Sequence, residues 1–244
     1  MTTSPAILSL QKSFSVLASS HQLLLVIAPK WDSCAARLQR YERACLGGEW
    51  QQVGPAVTVM LGKSGLAWGR GLHTQIGGVG REKREGDACA PAGIFAITAL
   101  FGDAAPDSPF ARAAKLPYLY ATRDLKAIDD PASAYYNRIV DQSSGVKIDW
   151  TSCEDMRRSD ERYAVGAVVA HNSAPPVPGA GSCIFLHVWA DEGVPTAGCT
   201  AMSLVDMSEI AGWLDGAAVP LLVQLPQAEY EGLREVWGLP ALTG

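Results

Sequence analysis

One stretch of the chain contains a histidine near the end of a predicted strand and a cysteine after the following loop. It runs Ile184-Phe185-Leu186-His187-Val188-Trp189, passes through a loop, and continues Thr196-Ala197-Gly198-Cys199-Thr200-Ala201-Met202. The first segment has the apolar character of a buried strand, and its histidine lies near the end. The cysteine follows twelve residues later. A loop that folds back between them would bring the two side chains together.

This pairing suits nucleophilic catalysis. The thiolate is the reactive form of cysteine, and since the ordinary thiol pKa is about 8.5, a nearby base must help to form it. We therefore predict Cys199 as nucleophile and His187 as its base. Gly198 would let the backbone turn tightly and approach a substrate. The backbone N–H of Cys199, with neighbouring amides, would then serve as an oxyanion hole.

Two other interpretations of the same residues stay open. A buried cysteine in a turn is often only a small apolar side chain. A zinc site built from Cys183, His187, Cys199 and His171 is disfavoured, because on a strand the first two would stand about 13 Å apart.

The remaining pattern predicts a mainly β fold with a few helices. The 24 glycines and 15 prolines imply many turns between short apolar runs. Strands are predicted at residues 21–27, 50–61, 94–100, 116–122, 166–171, 183–189 and 220–226, and residues 129–162 are expected to form an irregular excursion. Helices are predicted from Asp32 or Ser33 through Tyr41, after a capping box at Ser203 and Asp206, and over residues 227–237 up to Gly238.

Composition excludes several classes of protein. Charged residues are 18% and hydrophobic residues 48% of the 244 residues, which is typical of a globular chain. The net charge is −5 and no basic stripe is visible, so nucleic acid is not an expected partner. No run reaches about 20 apolar residues, so no membrane span is expected. Residues 1–20 are interpreted as a signal remnant or flexible N-terminus, and residues 21–244 as a single catalytic domain.

Two motifs together resemble the L,D-transpeptidase catalytic domain (YkuD-type). Residues 181–202 resemble its signature, a strand ending in His, a loop, and a Ser/Thr-x-Gly-Cys turn followed by a hydrophobic residue, Arg and Met or Leu. Residues 86–95, Gly-Asp-Ala-Cys-Ala-Pro-Ala-Gly-Ile-Phe, resemble a second landmark of the family, G-D-x-x-T-P-x-G-x-F. The resemblance covers roughly residues 55–225. Ala201 stands where the family has Arg, and Ala90 where it has Thr.

The resemblance implies an L,D-transpeptidase-like β-sandwich and a peptidoglycan L,D-transpeptidase that acts on stem tetrapeptides through a Cys199 thioester, without metal or organic cofactor. A wall-anchored protein would be a possible acyl acceptor, and the expected location is the periplasm or cell envelope. The alternatives are an L,D-carboxypeptidase or cell-wall amidase that uses the same pair, and a non-catalytic wall-binding module.

Several further residues are predicted to contact the substrate. Arg138 is the first candidate to replace the missing family arginine, and the neighbouring Tyr136 is grouped with it. The strand-end residues His171 and Asn172 would line the same cleft. The signature turn adds the last two candidates, Thr196 and Thr200. Asp191 or Glu192 would orient His187, unless a backbone carbonyl does so, as the resemblance allows.

Overall fold

A ring of β-strands forms the centre of the protein in a computed structural model that describes residues 17–73 and 80–242. The strands of these residues are β1 (Gln22–Ala28), β2 (Ala35–Glu42), β3 (Gln51–Met60), β4 (Leu66–Trp68), β5 (Ala90–Gly102), β6 (Tyr118–Tyr120), β7 (Leu125–Ala127), β8 (Ile139–Asp141), β9 (Glu154–Asp155), β10 (Val165–Val169), β11 (Phe185–Val188), β12 (Thr200–Met202) and β13 (Leu221–Pro226). The α-helices are α1 (Pro109–Ala113), α2 (Leu204–Trp213) and α3 (Gln227–Trp237).

The main sheet closes on itself. Its strands pair in the order β5, β10, β11, β12, β3, β2, β1 and β13, and β13 pairs again with β5. The expectation of a mainly β fold with a few helices is confirmed, and the layers expected of a sandwich are joined into one closed sheet. Closure leaves these strands without a free edge and surrounds the apolar core.

Strand β1 shows how the sequence builds this core. Its seven residues, Gln-Leu-Leu-Leu-Val-Ile-Ala, are all buried. It pairs in parallel with β13 and antiparallel with β2. A strand covered on both faces is expected to be continuously apolar rather than alternating.

The predicted helix from Asp32 or Ser33 through Tyr41 is wrong, because Ala35–Glu42 is strand β2. Leu38 and Tyr41 have helical spacing, but the segment also pairs along its length with β1 and β3. Long-range pairing therefore overrides a short local pattern.

The two C-terminal helices are confirmed. Ser203 caps α2 and accepts a hydrogen bond from the Asp206 N–H, and Gly238 ends α3 in the left-handed conformation. Strand β12 separates Cys199 from α2.

The excursion at residues 129–162 is more regular than predicted. Strands β8 and β9 lie within it and pair with β7, which directly precedes it, in a small separate sheet. The same segment ends in a turn of 3₁₀ helix at Glu161–Tyr163, directly before β10. This places the end of the excursion beside the main sheet.

The predicted signal remnant or flexible N-terminus lies mostly in residues 1–16, outside the described residues. Of its last residues, Leu17 and Ser20 are buried. Across the two described ranges, no helix is long and apolar enough to cross a membrane.

Candidate active site

The pairing of β11 with β12 brings Cys199 and His187 onto one face of the sheet. The strands are parallel, with Leu186 opposite Thr200 and His187 opposite Ala201. Continuing this register by one residue places Cys199 opposite Phe185, two residues from His187. Positions two apart on neighbouring strands face the same way, with Cα atoms separated by roughly 8 Å. The loop therefore folds back as the sequence predicted.

The cysteine sulfur is held by backbone groups. Its Sγ accepts a hydrogen bond from the Phe185 N–H at 3.4 Å and donates one to the Cys183 carbonyl at 3.5 Å. Among the described residues no hydrogen bond joins this sulfur to His187. The thiol and the imidazole line the same cavity without a direct hydrogen bond between them.

The orientation of His187 fixes which ring nitrogen acts as base. Its Nδ1 lies 2.8 Å from the Val188 carbonyl oxygen. A carbonyl only accepts hydrogen bonds, so Nδ1 carries the proton and Nε2 has the free lone pair. A backbone carbonyl thus orients the base, and Asp191 instead accepts from the Glu192 N–H within the loop.

Burial keeps both groups neutral in this state. The pKa of His187 is lowered from 6.5 to about 4, mainly by desolvation and in part by the nearby Arg162 and Arg158, while the hydrogen bond to Val188 opposes the shift. Desolvation also raises the pKa of Cys199 to about 12. A thiolate–imidazolium pair is therefore not the resting form. The chemistry available is proton transfer from a neutral thiol to a neutral imidazole as the sulfur attacks.

We use the name reactive cavity for the space beside these two residues, about 220 Å³ in volume. The lining residues are Glu154, Arg158, Arg162, Tyr163, His187, Trp189, Ala190, Val194, Pro195, Thr196, Ala197, Cys199 and Ala201. It therefore joins the two predicted catalytic residues with charged side chains from the end of the excursion.

Two arginines give the reactive cavity positive charge near the place where the family has an arginine. Arg158 and Arg162 both pair with Asp160, and both side chains stay partly exposed. Arg158 also lies over the Tyr163 ring, 5.2 Å from its centroid. Two guanidinium groups share one carboxylate here, so the cluster retains a net positive charge for an anionic group.

Two of the predicted residues, Thr196 and Gly198, stabilise the backbone of the signature turn. The Thr196 hydroxyl accepts from the Gly198 N–H at 3.0 Å and donates to the Cys199 carbonyl at 2.7 Å. Gly198 has φ of 152°, and a Cβ there would lie 3.0 Å from the Cys89 carbonyl oxygen. Glycine thus allows two backbone segments to meet. Because its N–H is already bonded, Gly198 adds no donor to an oxyanion hole in this state.

Thr200 lies away from the reactive cavity. It follows Cys199 directly on the chain, and successive strand residues face opposite sides. Its hydroxyl donates to the Gln224 side chain at 2.8 Å, in a buried position. The structure therefore does not bring Thr200 to the predicted substrate.

His171 and Asn172 stabilise a loop. Both ring nitrogens of His171 are occupied, since Nδ1 accepts from the Arg70 N–H at 3.2 Å and Nε2 lies 2.9 Å from the Ala180 carbonyl. The Asn172 amide bonds the backbone at Val177 and Gly181. Neither residue lines the reactive cavity.

Tyr136 and Arg138 also lie elsewhere. The buried Tyr136 hydroxyl donates to Glu85. Arg138 lines a second cavity of about 270 Å³, which also includes His171 and Cys183. The predicted replacement of the family arginine by Arg138 is therefore not supported by position, whereas Arg158 and Arg162 stand in the reactive cavity.

Asn137 ties the excursion to the catalytic strand. Its amide nitrogen donates to the carbonyls of His171 and Asn172, at 2.8 and 2.7 Å, and its amide oxygen accepts from the Cys183 N–H at 2.9 Å. The Cys183 carbonyl is in turn the acceptor for Cys199. Asn137 thus fixes the backbone beside the reactive sulfur.

Sequence reasoning missed the residues that the excursion contributes to the reactive cavity, namely Glu154, Arg158, Arg162 and Tyr163. The one local signal is the charge run Arg157-Arg158-Ser159-Asp160-Glu161-Arg162. Such a run usually marks a solvated surface, and only the packing of the excursion onto β11 shows that it faces a cavity.

Metal ligation has no support in the described part of the chain. Within residues 17–73 and 80–242, no group of three or more His, Cys, Asp or Glu side chains is arranged to hold a metal ion. All six cysteines are free thiols.

Comparison with known protein families finds a match. The family model of the L,D-transpeptidase catalytic domain matches residues 59–225, which is more than half of the 244-residue chain. Comparisons with curated proteins and with solved structures give no significant match.

Proposed function

The chain belongs to the L,D-transpeptidase catalytic-domain family, and on that basis we propose that it is an acyltransferase whose nucleophile is Cys199. One observation carries the assignment of residues. Cys199 and His187 lie on neighbouring parallel backbone segments and line the same cavity. Among the described residues, Nε2 of His187 has no hydrogen-bond partner, and the ring instead bonds the Val188 carbonyl through Nδ1. A peptidoglycan substrate fits the family.

In the proposed acylation, the substrate carbonyl enters the reactive cavity above the sulfur. Nε2 of His187 takes the thiol proton while Sγ attacks the carbonyl carbon. The imidazolium then gives this proton to the leaving amine, and a thioester remains on Cys199. The neutral resting pair makes this a general-base reaction, for which the Val188 carbonyl holds the imidazole in the required tautomer.

The proposed donor is a peptidoglycan stem tetrapeptide, which loses its terminal D-alanine. The new carbonyl–sulfur bond forms at the third residue, a diamino acid. Arg158 and Arg162 supply charge that suits a carboxylate of this donor, in place of the arginine that Ala201 replaces. Because peptidoglycan lies outside the cytoplasmic membrane, we also propose a periplasmic or cell-envelope location.

The test is release of D-alanine from a purified stem tetrapeptide. Wild-type protein should release it, and Cys199→Ala should not. Cys183→Ala is the matched control, since it removes a second buried thiol from the neighbouring cavity. Full release by Cys199→Ala would contradict the proposal.

Water is the alternative acyl acceptor, which would make the protein an L,D-carboxypeptidase. The reactive cavity is partly open to solvent at its arginines, and this favours keeping the alternative. Mass spectrometry of digested muropeptides separates the two activities, because transfer gives dimers and hydrolysis gives shortened monomers.

A further inference from the structure

A carboxyl group of the reactive cavity has no part in the acylation described above. Glu154 lies on strand β9, where it pairs with Ala127 of β7. The next residue, Asp155, is exposed and pairs with Lys126. Alternation along the strand therefore turns Glu154 toward the reactive cavity and Asp155 toward solvent.

The carboxyl of Glu154 is held by one neighbour. The Tyr163 hydroxyl donates a hydrogen bond to its Oε2. Tyr163 also contacts the base, with its ring 5.4 Å from the His187 ring in an edge arrangement. No second donor to the carboxyl is present among the described residues, so Oε1 is left for a ligand. Glu154, Tyr163 and His187 thus form one wall of the reactive cavity.

The charge of this carboxyl works against the nucleophile. Burial raises the pKa of Glu154, and Asp129 and Glu85 raise it further, while Arg158 opposes them. A negative charge at Glu154 in turn raises the pKa of Cys199. A partly buried carboxyl with a single hydrogen bond is costly. The Glu154 carboxylate lies near Cys199 although its charge opposes formation of the thiolate. A second reaction step that needs a base or an anion would explain this position.

The second step of the proposed function is attack on the thioester. An amine acceptor arrives at neutral pH as an ammonium ion, because the ordinary pKa of an alkyl amine is near 10.4. An ammonium ion has no lone pair for attack. In a desolvated site, an ammonium ion and a carboxylate favour proton transfer to the neutral pair, since burial penalises both charges.

We propose that Glu154 binds the ammonium group of the acyl acceptor and accepts one of its protons, which directs the Cys199 thioester toward an amine rather than water. The inference rests on the proposed function. It assigns binding of the acceptor to Glu154 and binding of the donor carboxylate to the arginines.

The protons balance as follows. The ammonium group gives one proton to the Glu154 carboxylate, and the neutral amine nitrogen attacks the thioester carbon. His187 takes the second proton from that nitrogen. The C–S bond breaks, the thiolate of Cys199 recovers a proton from the imidazolium, and an amide is left. Glu154 later releases its proton to solvent, so the net products are an amide, a thiol and one proton.

The experiment compares two acceptors at pH 7 with the full chain and a stem tetrapeptide donor. One acceptor is a stem tripeptide with a free side-chain amine, which is cationic. The other is hydroxylamine, which is neutral at this pH and needs no base to free its lone pair. Thioester formation on Cys199 is measured first by intact mass, so that a failure of the proposed function is seen separately from a failure of this inference.

Glu154→Gln should form the thioester at least as fast as wild type, because it removes a charge that raises the pKa of Cys199. It should transfer the acyl group to the tripeptide amine about 10²-fold more slowly and to hydroxylamine without such a loss. Glu161→Gln is the matched control, because Glu161 is an exposed carboxylate of the same segment. Equal transfer to the tripeptide amine by Glu154→Gln and wild type would overturn the inference. So would a loss of both transfers, since that outcome assigns Glu154 to structure alone.

A measurement on unmodified protein covers the case in which Glu154→Gln does not fold. The ratio of transfer to the tripeptide amine over transfer to hydroxylamine is compared between the acyl-enzyme and a small thioester in solution. The ratio should be at least about tenfold higher for the acyl-enzyme. An equal ratio would overturn the inference.

Discussion

The protein contains two histidine–cysteine pairs in neighbouring cavities near strand β11, and the two pairs are similarly buried. His187 and Cys199 line the reactive cavity, while His171 and Cys183 line the second cavity. Burial lowers the pKa of both histidines to about 4 and raises the pKa of both thiols. Burial and pKa therefore do not distinguish a catalytic pair from a structural one.

The difference lies in what the ring nitrogens bond. His171 has both nitrogens committed to backbone groups, at Arg70 and Ala180. His187 commits only Nδ1, to Val188. An imidazole with both nitrogens bonded can stabilise a fold but has no free site to take a proton. Catalytic competence here therefore depends on one ring nitrogen that has no backbone partner and faces a cavity with a thiol.

The largest effect expected from this difference is on the two cysteines. Cys199→Ala should lower D-alanine release by at least about 10³-fold, since the nucleophile is lost. Cys183→Ala should retain release within about threefold of wild type, a range set by small packing effects. The measurement is steady-state release from a stem tetrapeptide. Equal losses in both variants would break the comparison.

The histidines give the next effect. His187→Ala should lower the acylation rate by about 10²- to 10⁴-fold without a matching loss of folded protein. His171→Ala should instead lower the melting temperature, because buried hydrogen bonds are lost. Stopped-flow acylation and thermal unfolding, run on both variants, separate the roles. Loss of acylation in His171→Ala at an unchanged melting temperature would contradict them.

The pH dependence of acylation by the wild-type protein tests the role of His187 as a neutral base. Because the pKa of His187 is lowered to about 4, its imidazole becomes protonated only as the pH falls toward 4. Acylation should therefore be level across neutral pH and decline toward pH 4. The raised pKa of Cys199 also predicts slow alkylation by iodoacetamide at pH 7, slower than free cysteine. Alkylation faster than free cysteine would show a resting ion pair instead.

Asn137 lines the second cavity and bonds the Cys183 N–H, and its loss should have an intermediate effect. Asn137→Ala removes three hydrogen bonds to backbone groups around β11. We expect the free energy of unfolding to fall by about 1–3 kcal/mol, measured by urea denaturation. Arg138→Ala changes the exposed neighbour and should alter it by less than about 0.5 kcal/mol. An unchanged free energy of unfolding for Asn137→Ala would contradict a role of Asn137 in fixing the backbone beside Cys199.

The smallest effect is expected from the arginines of the reactive cavity. Arg158→Ala and Arg162→Ala should each raise KM for the tetrapeptide by about three- to tenfold, because both side chains are partly exposed and screened by solvent. Arg138→Ala is the matched control and should leave KM unchanged, since Arg138 faces the second cavity. If Arg138→Ala raised KM more than Arg158→Ala and Arg162→Ala, the donor would bind in the second cavity instead.

The sequence was informative where chemistry and backbone pattern coincide. A histidine at a strand end, a Gly-Cys turn and a second motif at residues 86–95 were enough to predict the family and the central pair. The mainly β fold followed from short apolar runs between turns. The Ser203 cap of α2 and the end of α3 at Gly238 could be predicted from the sequence, because each depends on residues close together in the chain.

The remainder depends on contacts between distant segments. Strand β2 has helical spacing at Leu38 and Tyr41 and becomes a strand only through its partners. Thr200 was predicted to contact the substrate, yet strand alternation turns its side chain toward Gln224. Arg158 and Glu154 reach the reactive cavity only because the excursion packs against β11.

The most direct test of the central claim is the intact mass of the protein after brief incubation with a stem tetrapeptide, followed by mapping of the modified peptide. We expect an added mass equal to the tripeptide acyl group, located on Cys199 and absent from Cys199→Ala. An adduct on Cys183, or D-alanine release that persists in Cys199→Ala, would contradict it.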